Sequence, residues 1–152
     1  MMVQLMIMYF VVFSSSRHEV VVATLAFGIN SGAYVAEIVR GGIMSVDAGQ
    51  MEAGRSLGMN YTQTMRHIII PQAIKNILPA LGNEMITLLK DTSLMTVIGA
   101  KDLTKAAQTV QAVTYQAFMP YISIAVIYLV CVIALSKLLA LIERRMRNSD
   151  RR

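Results

Sequence analysis

Residues 119–142 read MPYISIAVIYLVCVIALSKLLALI, and the basic run ERRMRNSDRR (143–152) follows without a break. A helix rises 1.5 Å per residue and needs about 20 apolar residues to cross a bilayer core, so the first stretch is long enough to span. Lys137 is its one charged residue, close enough to the end for the ammonium to reach the headgroups along its own aliphatic stem. The basic run behind it marks the cytoplasmic end, because Lys and Arg accumulate on that side of membrane helices.

Two more stretches, 20–40 and 76–100, have the same length and apolar weight. The opening 1–13 is apolar but too short to span. It also lacks the basic flank and small-residue cleavage site of a signal peptide. It is expected to be a partial helix, and the chain a fragment that begins after the N-terminal part of a longer protein. With 55% hydrophobic and 15% charged residues, the composition is too apolar for an ordinary soluble domain. The expected class is therefore all-α: a polytopic membrane protein with about three full transmembrane helices and a partial N-terminal one.

The net charge of +5 raises the question of nucleic acid, and its placement answers it. Counting back three spans from a cytoplasmic C-terminus puts the connection after residue 40 in the cytoplasm as well. That connection carries Arg40, Arg55, Arg66 and Lys75 against Asp47 and Glu52. The opposite loops hold Arg17 on one side and Lys101 and Lys105 on the other, the latter pair in an external loop or surface helix over 101–118. Both basic regions fit one orientation, so the charge orients the chain in a lipid membrane and no nucleic-acid partner is expected.

Residues 47–70 are polar and amphipathic, and their punctuation predicts a cytoplasmic helical hairpin. Asp47 with Gln50, and Asn60 with Gln63, have the spacing of helix-capping boxes. Gly58 between them suits the left-handed turn that ends a helix, and Pro71 biases Ile70 away from helix. Gly41-Gly42 is expected to mark the exit of the preceding span.

Within this loop, Glu52-Ala53-Gly54, three residues, Gly58, nine residues and Ile68-Ile69-Ile70-Pro71 resembles the EAA loop of the permease subunits of ABC importers. Gly54 replaces the third Ala of that pattern and Ile70 its Leu. The stretches NSGAYVAE (30–37) and LGNEMITLLKDTS (81–93) resemble the branch that carries polar amino acids. The resemblance covers nearly the whole chain and implies five spans in the complete protein. It implies a hairpin that docks, through Glu52, Ala53, Gly54, Gly58, Ile68 and Pro71, on a separate ATPase subunit. It also implies the other partners: a dimer of those ATPases, a second permease chain, an extracytoplasmic amino-acid-binding protein, and location in the bacterial inner membrane. Small residues at Ala53 and Gly54 would let another protein approach the helix backbone closely.

The chain has no G-x-x-x-x-G-K-[ST] phosphate loop, no Ser/His/Asp set and no metal-spaced His/Cys cluster. It is therefore read as a transporter subunit that binds no cofactor itself, with ATP and Mg on the partner ATPase. His18 and His67 stand alone among polar residues, and Cys131 sits singly inside an apolar run.

Polar residues inside the spans form two stripes. Asn30, Tyr34 and Glu37 recur at i, i+4 and i+7, and Glu84, Thr87 and Asp91 at i, i+3 and i+7. A charged side chain facing lipid at a helix centre costs about 2.5–3.5 kcal/mol on insertion scales, so these groups are expected to face protein or a cavity. A zwitterionic amino acid needs an anion for its ammonium and donors for its carboxylate. Glu37, Glu84 or Asp91 are candidates for the first, and Asn30, Ser31 or Lys90 for the second. The competing reading is that they satisfy one another between packed helices or hold a permease dimer together. Two other functions fit parts of the sequence: a stand-alone secondary transporter or channel using the same stripes, and, more remotely, a membrane-anchored helix-turn-helix DNA-binding protein built on 51–68.

Overall fold

The structure, a computed structural model, describes residues 1–15 and 18–148, with the backbone alone for 145–148. Arg17 and residues 149–152, on which part of the charge argument rests, lie outside the described residues. The described chain is helical and contains no strand. Its α-helices are α1 (Met2–Ile7), α2 (Glu19–Met44), α3 (Ala48–Ser56), α4 (Tyr61–Thr64), α5 (Ile70–Asp91), α6 (Leu103–Thr114) and α7 (Phe118–Asn148). Two of them are long and apolar enough to span a membrane, over Glu19–Met44 and Phe118–Arg144. α5 carries Lys75, Glu84, Lys90 and Asp91 and is not among these two.

The helices fall into two compact units, residues 1–32 with 85–136, and 33–84 with 137–152. The first unit has a small core of Leu5, Ala23, Ala26, Ile98 and Ala100, with Tyr9, Phe27 and Met95 packed against it. Ala23 and Ala26 are small enough for α1 to come close to α2, and Gln4 Nε2 donates to the Ala26 carbonyl at 3.4 Å. After α5 the chain tightens into a 3₁₀ helix over Thr92–Ile98, which Gly99 ends at φ 83°. Asp102 then caps α6 by accepting from Lys105 N–H at 2.7 Å. Tyr115 closes α6 at φ 55°, a left-handed conformation that costs a residue with a Cβ about 1–2 kcal/mol. Tyr121 Oη donates to Gln111 Oε1 at 2.8 Å and ties α6 to the start of α7.

In the second unit, glycines set the helix contacts. A Cβ on Gly42 would stand 2.2 Å from Ile77 Cγ1, and one on Gly82 2.8 Å from Leu139 Cδ2. Asn76 Nδ2 donates to Ser45 Oγ at 2.7 Å beside the first of these contacts.

Three expectations are corrected and a fourth, left between two forms, is decided. Gly41-Gly42 does not end the second helix, which runs on to Met44, because Gly42 is used for close packing against Ile77. Pro71 does not end a helix either. A π turn over Met65–Ile69 joins α4 to α5, with the Ile70 N–H reaching back to the Met65 carbonyl, and helix continues from Tyr61 to Asp91. The wider turn loosens the hydrogen-bond ladder just where Pro71 lacks an N–H, so the ring is accommodated. The stretch 76–100 is not one α-helix, since the α-helix ends at Asp91 and Thr92–Ile98 is 3₁₀. The region 101–118 is mostly α6, so of the two forms expected there it takes the helical one.

The Gly42 contact is testable in detergent. Gly42→Ala should lower the unfolding midpoint by the equivalent of about 1–3 kcal/mol, the usual cost of overpacking. Ile77→Ala in the same chain should recover part of the loss by removing the opposing atoms. Purely additive destabilisation by the two substitutions would show that the contact does not limit packing.

Candidate functional site

The hairpin is assembled from caps, a left-handed turn and one close contact. Asp47 starts α3 by accepting from Gly49 N–H at 2.7 Å. The expected box with Gln50 does not form, since Gln50 Oε1 accepts instead from Gln72 Nε2 at 3.4 Å. The second box does form: Asn60 Oδ1 accepts from Gln63 N–H and Gln63 Oε1 from Asn60 N–H, both at 2.9 Å. Between them Gly58 takes φ 81°, as its place in the sequence predicts, and Met59 N–H bonds back to the Gly54 carbonyl at 3.1 Å.

Gly54 is buried inside the hairpin rather than offered to a partner. A Cβ there would lie 2.5 Å from Thr64 Cγ2, 2.9 Å from Thr64 Oγ1 and 3.1 Å from Ile68 Cδ1. This corrects the expectation that Ala53 and Gly54 together form an approach surface; Ala53 alone is exposed. Thr64, which the sequence reading did not single out, is fully buried, and its hydroxyl donates to the Asn60 carbonyl at 3.0 Å. Ile68 is half-buried and Pro71 exposed. Glu52 is exposed and forms no ion pair with Arg55 among the described residues, and its carbonyl accepts from Ser56 Oγ at 2.9 Å.

The tip of the hairpin shows what sequence reasoning passed over. Leu57 is 80% exposed and Tyr61 64% exposed, on either side of Gly58. Large apolar residues beside a turn glycine, where polar ones are usual, were the available signal.

The residues expected to line a substrate path divide between the two units. Asn30, Ser31, Lys90 and Asp91 belong to the first, and Tyr34, Glu37 and Glu84 to the second. Glu37 is engaged within its own helix by Arg40, whose Nε donates to Oε2 at 3.0 Å while Nη2 meets Oε1, and both side chains are exposed. Ser31 lines an open cavity of about 730 Å³ in the first unit, with Thr24, Phe27, Leu88, Leu89 and Met95 among its walls. Asn30, Lys90 and Asp91 are not part of that lining. Hydroxyls on largely apolar walls can place a ligand but do not neutralise the two charges of a zwitterion.

The Gly54 contact makes the rigidity of the hairpin measurable by amide hydrogen exchange over residues 48–69. Gly54→Ala should speed exchange there, and Thr64→Ser, which deletes the nearest atom, should slow it again in the double variant. Gly58→Ala meets no neighbouring atom and should cost about 1 kcal/mol for its left-handed backbone alone. Unchanged exchange in Gly54→Ala would remove this contact as the lock.

Known proteins agree with this architecture. The family described as binding-protein-dependent transport system inner membrane component matches residues 1–148. The glutamine transport system permease protein GlnP of Escherichia coli (strain K12) is 41% identical over 149 residues, covering 95% of this chain and 68% of the relative. The arginine transport system permease protein ArtQ of Bacillus subtilis (strain 168) is 39% identical over 153 residues, covering 99% of this chain and 70% of the relative. A crystal structure of an amino acid ABC transporter with histidines matches with a TM-score of 0.89 and 53% identity, over 95% of this chain and 68% of that one. The chain belongs to the family of inner membrane components of binding-protein-dependent transport systems.

Proposed function

We propose that the chain is the permease subunit of an ATP-driven importer of polar amino acids, and that its hairpin receives the stroke of a separate ATPase. The observation that carries this reading is a hairpin closed on itself at Gly54 and Thr64 with Leu57 and Tyr61 left open at its tip. A unit locked internally can move as one body, and exposed apolar side chains beside a fixed turn suit a protein groove. Helix runs from Tyr61 through the π turn to Asp91, so a push on the hairpin has a continuous path into α5. Closure of two ATPase subunits around ATP would rock such helices between inward-open and outward-open arrangements. The substrate class is supported by the relatives, whose names give glutamine and arginine transport, and by the solved transporter with histidines. Neighbours in this assembly are an ATPase dimer, a second permease chain and an extracytoplasmic binding protein. The hairpin faces the cytoplasm together with the C-terminus.

The test is reconstitution of the permease with its ATPase and binding protein in liposomes, followed by uptake of labelled glutamine, arginine and histidine. ATP-dependent uptake of at least one is expected. Leu57→Asp should cut both uptake and retention of the ATPase by about tenfold or more, in line with loss of a buried apolar anchor, while the chain stays in the membrane. Uptake that proceeds without ATP or ATPase would replace this reading with a stand-alone transporter.

A further inference from the structure

The turn between α6 and α7 places large side chains in the open. Tyr115 is 92% exposed, Val113 75%, Phe118 72% and Met119 64%. Tyr115 also holds the left-handed conformation that glycine would adopt without strain, and its side chain stands open among the described residues. The position of this cluster follows from the length of α7. Its apolar stretch, residues 119–142, is 24 residues long with Lys137 as its one charge. At 1.5 Å per residue it measures about 36 Å, against about 30 Å for the hydrocarbon core and 40–45 Å with the headgroups. Phe118 therefore falls at headgroup level, at the end opposite Arg144. Tyr and Trp collect at that depth in membrane proteins, with the ring in the acyl boundary and the polar tip in water. The bond from Tyr121 to Gln111 links α6 to the first turn of α7 across this turn. No residue of the apolar window of α7 is buried, and Ile122, Val126 and Leu129 along it are exposed, so the patch continues into an open apolar face of that helix.

We propose that Tyr115 and Phe118 form an interfacial lipid anchor, seated in the headgroup–acyl boundary at the end of α7 opposite Arg144. The proposal rests on α7 being a membrane span, and the experiment separates the two.

The chain has no Trp, so a single introduced indole reports its own surroundings. Tyr115→Trp, Phe118→Trp and Leu129→Trp are placed singly in the full chain and reconstituted in liposomes whose lipids carry bromine either near the carbonyls or near the chain ends. Leu129 is 58% exposed and lies about 16 Å along α7 from Phe118, near the midplane. The expected result is blue-shifted emission from Tyr115→Trp and Phe118→Trp, quenched about twofold or more better by the shallow bromines, with the opposite preference for Leu129→Trp. If Leu129→Trp is quenched by the deep bromines while the other two are quenched by aqueous acrylamide and by neither lipid, the anchor is refuted and the span stands. A response at Tyr115→Trp and Phe118→Trp seen only when a soluble partner is added would make the patch a protein-docking surface instead. Failure of every lipid to quench Leu129→Trp would remove the span and the anchor with it.

Discussion

Side chains seated directly against glycine do for the second unit what burial of large side chains does for a soluble domain. Lipid tails are as apolar as leucine, so helices in a bilayer gain little from hiding hydrophobic surface and depend on contact at short range. Gly42 against Ile77 and Gly82 against Leu139 supply that contact in two places, and Gly54 against Thr64 closes the hairpin in the same way. The polar bonds nearby, Asn76 to Ser45 and Gln72 to Gln50, lie on the same stretches of helix and align what the glycines bring together. In the first unit alanines have the same role, with Ala23 and Ala26 buried beside Leu5.

This explains which features were legible in the sequence. Gly58, the Asn60–Gln63 box and the span at 119–142 are local signals: each works through residues within one helix or one turn, so spacing alone reveals it. The partners of Gly42 and Gly54 are different, because Ile77 and Thr64 are distant or lie beyond a turn, and a glycine looks the same whether it ends a helix or admits a neighbour. Both were therefore read by their local meaning, Gly42 as an exit and Gly54 as an outward-facing surface, and both were misplaced. Pro71 fails for a related reason. Its power to stop a helix assumes a regular ladder before it, and the π turn at Met65–Ile69 changes the ladder. The resemblance to importer permeases identified the hairpin and the family, but it pointed to Glu52 and Gly54 and away from the exposed pair Leu57 and Tyr61.

The correction at Pro71 bears most on function. A loop after the hairpin would have separated it from α5, whereas helix runs on from Tyr61 to Asp91 and, on the proposed reading, carries displacement onward. The charges expected to line a substrate path then sort themselves. Glu37 is already held by Arg40 on its own helix, and the cavity beside Ser31 offers hydroxyls and apolar walls. Glu84, Lys90 and Asp91 all belong to α5, the helix that the hairpin feeds. On the proposed reading, the element that receives force from the ATPase is the one that bears the groups able to meet the charges of an amino acid. Coupling then needs no long chain of contacts between separate elements: a shift of α5 changes the surroundings of those charges directly, and with them the affinity for a zwitterion on one side of the membrane relative to the other.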